Sequence, residues 1–219
     1  SSVFEGEIQG QSLGIDVDVF TDEGKSTKDG ERGELVVKQP FPSMPVKFWD
    51  DEAGEKYKAA YFTKFKNIWH HGDFVERTSN NGFVVHGRSD STLNPGGVRI
   101  GTAEIYQQVE DIDFITEGLV VGQNYKNDVR TVLFVTTKNN QKLDEEKIKF
   151  IKLKIRKNCS PKHVPAIIIK TPEIPRTKSG KIVELAVKKL INGEELDNKE
   201  AIANPKCLEF FKKLAQLKN

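Results

Sequence analysis

Near Arg88 the repeat of apolar residues changes period, and this change limits the folds open to the chain more than any other feature. Upstream, Ile15-Asp16-Val17-Asp18-Val19-Phe20 alternates apolar with polar residues, the period of a half-buried strand. Asp22-Glu23-Gly24-Lys25 reads as a turn and Gly33-Glu34-Leu35-Val36-Val37 as a second strand. Residues 73–76 and 83–86 read as strands flanking Ser79-Asn80-Asn81-Gly82, whose Asn-Gly step predicts a hairpin. Residues 40–67 read as loop, with a short helix near 55–61.

Downstream, helix and strand alternate. Gly101-Thr102-Ala103-Glu104 opens a helix to about Val109, with Thr102 as the expected N-cap. Residues 119–121 and 129–137 read as strands. Over 144–156 an amphipathic helix is predicted, because Ile148, Ile151 and Ile155 share one face and acids lead while bases trail. A third strand is expected over 164–170. A helix over 181–191 is expected to pack Ile182, Leu185 and Leu190, and a last helix to span 205–217. The fold class is therefore α+β. A strand-rich region over 1–88 is followed by a glycine-rich break and a smaller helix–strand domain over 93–219.

Composition excludes several function classes. The 34 Lys and Arg nearly balance 32 Asp and Glu, leaving +2. Such a surface has no global field for nucleic acid, and no nucleic-acid partner is expected. No apolar run approaches the roughly 18 residues of a membrane helix, so no membrane span is expected. The start lacks the basic flank and apolar stretch of a signal peptide and has no initiator Met, which suggests a piece of a longer chain. Cys159 and Cys207 are the two cysteines, neither at ligand spacing, so a reducing cytoplasm is the simplest compartment. Of the four histidines, His70 and His71 are adjacent and should point apart. No metal site is expected in the chain.

Three segments carry potential chemistry. The first is Arg88-Ser89-Asp90-Ser91-Thr92-Leu93-Asn94-Pro95-Gly96-Gly97-Val98-Arg99-Ile100-Gly101. Its glycines let backbone approach a ligand while flanking guanidinium groups meet anions or hydroxyls; a plain interdomain linker has the same composition. The second is Pro175-Arg176-Thr177-Lys178-Ser179-Gly180-Lys181, a cationic turn that is not a phosphate-binding P-loop, since Ile182 stands where Ser or Thr is required. A solvated Lys-rich loop is the competing reading. The third is His71-Gly72-Asp73, where a carboxylate could take two vicinal hydroxyls, although Gly-Asp turns are common.

Taken together and in order, these segments resemble the acyl-CoA synthetase family of adenylate-forming enzymes, and its acetoacetate-activating branch most closely. The resemblance runs from about Gly6 to Phe211 and includes Pro40-Phe41-Pro42-Ser43-Met44-Pro45, Trp69-His70-His71-Gly72-Asp73, residues 87–106, Ser160-Pro161-Lys162-His163-Val164-Pro165 and residues 175–186. The tail Asn204-Pro205 with Leu208 and Phe210-Phe211 is also similar. Acetyl-CoA synthetases share the glycine-rich and lysine motifs but are less similar over 40–50 and at the tail.

The resemblance implies two steps, adenylation of a carboxylate by ATP with Mg2+ and attack on the acyl-adenylate by coenzyme A, with acetoacetate as the acid. It implies that 1–88 is the end of a large N-terminal domain, 89–92 a hinge and 93–219 a small mobile C-terminal domain. By position in the motifs, Asp73 would hold the AMP ribose hydroxyls, with Arg88 beside it, and Asp90 would be the hinge. Gly97 would line the pantetheine tunnel, and Arg99 would lie near nucleotide phosphate. Arg156 would meet the 3′-phosphate of coenzyme A, and Lys181 would be the catalytic lysine of the first step. A lysine in that role is open to a lysine-acylating regulator. The family's phosphate loop and acyl pocket lie upstream of the matching region, so the segment alone should be inactive. Other readings are another short-chain synthetase such as one for acetate, an amino-acid-activating domain, or a detached non-catalytic domain. The carrier motif that usually follows an amino-acid-activating domain is missing. The intact set Asp73, Arg88, Asp90 and Lys181 counts against a non-catalytic domain.

Overall fold

In the computed structural model, which describes residues 2–196, 199–214 and 217, the chain forms two compact units, Ser1–Asp90 and Ser91–Asn219. In the first, an antiparallel meander runs β1 (Val17–Phe20), β2 (Arg32–Val37), β3 (Trp69–Arg77) and β4 (Phe83–Arg88), in that spatial order. The β1–β2 turn closes through Thr21 N–H to Lys25 O at 2.8 Å, with Gly24 at φ 75°. The Asn-Gly hairpin forms as expected: Asn81 takes φ 60° and donates its N–H to Thr78 O. Between β2 and β3, α1 (Glu55–Tyr61) buries no residue of its own. Instead Tyr61 stacks on Trp69 with ring centroids 3.7 Å apart, and Phe41 meets the same indole edge-on at 5.2 Å.

The second unit holds α2 (Thr102–Glu110), β5 (Ile115–Tyr125), β6 (Asp128–Thr137), α3 (Glu145–Asn158), β7 (Ile167–Lys170), α4 (Glu184–Ile191) and α5 (Leu208–Lys212). The strands β5 and β6 pair antiparallel, whereas β7 pairs parallel to β6 after the α3 crossover. Both faces of this sheet are covered. Leu119, Val121, Val132, Phe134 and Ile169 face α4 and α5, while Val120, Leu133, Val135 and Ile168 face α2 and α3. Burial on both sides explains why these strands read as continuous apolar runs rather than alternation. Phe134 and Phe211 meet edge to face at 4.9 Å, and removing either ring would cost about 3–5 kcal/mol.

Local departures from the expected pattern each have a cause. Strand β3 begins at Trp69, not at residue 73, because a bulge at His71-Gly72-Asp73 hides its early half from a period-two reading. The cap of α2 is Gly101, whose N–H donates to Glu104 at 3.0 Å, while Thr102 is the first helical residue and is buried. Helix α3 starts at Glu145, with Asp144 as its N-cap accepting from Lys147 N–H at 2.9 Å, and Ile151 and Ile155 are fully buried. Strand β7 starts at Ile167 because residues 161–163 form a 3-10 turn and Pro165 cannot donate to the ladder. Helix α4 starts at Glu184, since Ile182 is engaged in a bridge with Arg176; it buries Ala186, Val187 and Leu190 but leaves Leu185 exposed. The expected last helix is a 3-10 turn over Pro205–Cys207 followed by the short α5, and its residues 215 and 216 lie outside the described residues.

Candidate functional site

In the first unit the site is built on the β3 bulge. Glu34 pairs with Phe74 and Val36 with His70, so His71-Gly72-Asp73 stand opposite a single β2 residue, and the chain there is re-aimed. Gly72 has φ 86°, and a Cβ on it would lie 2.7 Å from an Arg88 guanidinium nitrogen. Glycine takes this φ without strain, and a side chain there would push the Arg88 guanidinium aside. The bulge delivers Asp73 opposite Arg88 in register. His71 Nδ1 lies 2.5 Å from Asp73 Oδ2, and Arg88 Nη1 donates to Asp73 Oδ1 at 3.4 Å. Partial burial opposes ionisation of Asp73, but His71 and Arg88 outweigh it and hold the carboxyl below its usual range. Asp73 is therefore an ionised acceptor partly open to a ligand. Arg88 Nε also approaches Asp90 Oδ1 at 3.7 Å, which brings Asp73, Arg88 and Asp90 together.

Behind this trio lies a group that motif reading missed. Glu34 is fully buried and receives Lys64 Nζ at 2.7 Å, His70 Nε2 at 2.9 Å and the Ser89 hydroxyl. Ser89 N–H also donates to Gly72 O at 2.9 Å. The available signal was a charged residue in step with buried Val36 inside an apolar strand. The adjacent histidines turn to different carboxylates, His70 to Glu34 and His71 to Asp73. Among the described residues, no group of three or more His, Cys, Asp or Glu is arranged to hold a metal ion.

In the second unit, the glycine-rich stretch is a loop between two buried anchors. Leu93 and Ile100 exchange both backbone hydrogen bonds at 2.9 Å and leave residues 94–99 projecting. Gly96 N–H donates to both carboxylate oxygens of Asp128, at 2.9 and 3.1 Å, which pins the loop to the β5–β6 turn. Asp128 was not foreseen. The Val129 N–H, donating to Asp128 at 2.7 Å, then the Gly96 N–H and the charge of Lys162 hold its carboxyl low. Gly97 is exposed at φ 76° and lines an open concavity of about 520 Å³ with Asn94 and residues 124–129. Arg99 is half-buried in the same loop. Arg156 is exposed at the end of α3 and lines a separate groove of about 600 Å³ with Lys149, Lys152 and Pro165. Gly97 and Arg156 thus line different concavities.

Lys181 sits on a hairpin rather than a helix start. Thr177 N–H donates to Lys181 O at 2.8 Å, Gly180 N–H to Thr177 O at 2.9 Å, and Lys181 N–H to Thr177 Oγ1 at 3.1 Å. Gly180 takes φ 85°, as the turn requires, and the Lys181 side chain is exposed. Residues 201–204 flank the hairpin: Thr177 bridges Ile202, and Ala203 N–H donates to Arg176 O at 2.8 Å. The Asn204 side chain accepts from Arg176 N–H at 2.9 Å and donates to Ile174 O at 3.0 Å. This gives a physical reason for the tail motif. At the start of α4, Glu184 accepts from Tyr106, whose oxygen takes Val120 N–H at 3.1 Å; burial, then Glu184, pushes the phenol well above its usual pKa.

No family model matches the sequence. Among curated proteins, the acetoacetyl-coenzyme A synthetase of Rhizobium meliloti is 57% identical over 217 residues, 99% of this chain and 33% of that protein. The acetoacetyl-CoA synthetase of Gallus gallus is 43% identical over 219 residues, again 99% of this chain and 33% of that protein. Of solved structures, an acetoacetyl-CoA synthetase from Streptomyces lividans superposes with a TM-score of 0.89 at 42% identity, covering 96% of this chain and 32% of that one. The chain spans about a third of the length of the curated relatives it matches.

Proposed function

Because the chain belongs, over almost its whole length, with the C-terminal third of acyl-CoA synthetases, we propose that it is the nucleotide-closing end of an acetoacetate–CoA ligase. The observation that carries this reading is that one unbroken match to acetoacetyl-CoA synthetases runs through both units. In the full-length enzyme, an acetoacetate carboxylate oxygen attacks the α-phosphorus of ATP, and pyrophosphate leaves. The coenzyme A sulfur then attacks the acyl carbon, giving acetoacetyl-CoA, AMP and a proton.

Asp73 is assigned the ribose hydroxyls. Its support is an ionised, partly open carboxylate, the form that accepts two hydroxyl donors. Arg88 orients that carboxylate and is available to the nucleotide. Lys181 is assigned to the first step, where a compact positive charge stabilises the departing pyrophosphate. Its exposure on a hairpin tip suits a group that must enter another domain's site. Asp90 is assigned the hinge, supported by the boundary between compact units after it, with rotation centred on residues 89–92. Gly97 is assigned to the coenzyme A tunnel and Arg156 to the coenzyme's phosphate; Arg99 is assigned to nucleotide phosphate. Acylation of Lys181 would remove its charge and is proposed as a regulatory switch. The free thiols of Cys159 and Cys207 suit a reducing cytoplasm.

The test is acid-dependent pyrophosphate release by the full-length enzyme across short carboxylic acids. Release with acetoacetate well above that with acetate supports the assignment. Equal release with acetate would move the protein to another short-chain synthetase.

A further inference from the structure

Arg176 stands at the base of the Lys181 hairpin, and its guanidinium ties that hairpin to the sheet. Nη1 donates to Gly180 O at 2.5 Å, the carbonyl of the peptide leading into Lys181, while Nη2 donates to Glu117 on β5. The Arg176 backbone is fixed as well, its N–H by Asn204 and its carbonyl by Ala203 N–H. Gly180, at φ 85°, is the residue through which the tip would swing most freely. A bond to its carbonyl removes that freedom at the peptide that aims the lysine.

We propose that Arg176, held by Glu117, is a positioning residue that sets the direction of the Lys181 ammonium for the adenylation step. The inference rests on the reading of Lys181 as the cation of that step. A planar guanidinium can hold two acceptors at once in fixed geometry, whereas an ammonium on a flexible stem cannot. The arrangement needs both ends. Without Glu117 the arginine keeps its hold on the loop but loses its anchor on the sheet.

The experiment measures the half-reactions separately in the full-length enzyme, as pyrophosphate release from ATP plus acid and as thioester formed from synthetic acyl-adenylate and coenzyme A. Misplacing a reacting group by about 1 Å costs up to roughly 100-fold. Arg176→Ala is therefore expected to lower adenylation by about 10- to 100-fold and leave thioester formation near wild type. Arg176→Lys should recover little of the loss, and Glu117→Gln should fall between. In a Lys181→Ala background, Arg176→Ala should change adenylation by less than about twofold, because it acts through the missing ammonium. Full adenylation by Arg176→Ala, equal loss of both steps, or a loss that multiplies that of Lys181→Ala would each overturn the proposal. If Lys181→Ala itself adenylates normally, the reading of Lys181 falls and the brace falls with it. If Lys181→Ala is impaired while Arg176→Ala is not, only the brace is wrong.

Discussion

Ser89 donates its hydroxyl to Glu34, a carboxylate with no exposure, and so fixes the residue between Arg88 and Asp90 to the middle of β2. The same carboxylate binds Lys64 and His70. Glu34→Ala would take the acceptor from His70 and the Ser89 hydroxyl and leave Lys64 only its pair with Asp22 at 2.8 Å. Breaking a buried pair costs about 3–5 kcal/mol, and Lys64, at 30% exposure, can turn to water, so a loss near 3 kcal/mol is expected in urea unfolding. A loss under about 1 kcal/mol would show that the network relaxes into solvent.

The Asp73 assignment predicts a selective defect. In the full-length enzyme, Asp73→Ala should raise the KM for ATP roughly ten- to hundredfold, the worth of about 1.5–3 kcal/mol for charge-assisted contacts. Because the folded carboxyl lies below its usual range, its contribution should hold as pH falls through ordinary carboxylate values. Unchanged ATP dependence in Asp73→Ala would remove the assignment.

Asp18 supplies a stability test independent of function. Burial opposes its charge, but the Ser26 hydroxyl, the Val19 N–H and Lys38 prevail, and its pKa is lowered. A carboxylate with a depressed folded pKa adds stability that is fully present above its unfolded value, near 3.8, and is lost as pH falls through the folded value. Asp18→Asn should therefore lower stability at neutral pH and flatten its decline below about pH 4. Parallel acid unfolding curves for the two proteins would contradict this.

Much of the fold was legible because local signals and packing agree. The period of Ile148, Ile151 and Ile155 gives α3, and Asn81-Gly82 gives the β3–β4 hairpin. The bulge at Gly72 was hidden, since an αL glycine and a three-for-one register leave no period to read. The start of α4 was misread because Ile182 pairs across a hairpin, a contact that depends on Arg176 rather than on helix propensity. At the candidate site, residues with a motif were legible and their supports were not. Glu34 lies 55 residues from Ser89 in sequence and Glu117 lies 59 from Arg176, so only folding brings each pair together.

The most direct measurement is the two half-reactions of Lys181→Ala in the full-length enzyme. An ammonium that stabilises charge only while pyrophosphate leaves should, when removed, cost adenylation about 10²–10³-fold or more. Synthetic acetoacetyl-adenylate and coenzyme A should still give thioester at near the wild-type rate, since no pyrophosphate departs in that step. Equal loss of both steps, or retention of both, would contradict the role given to Lys181.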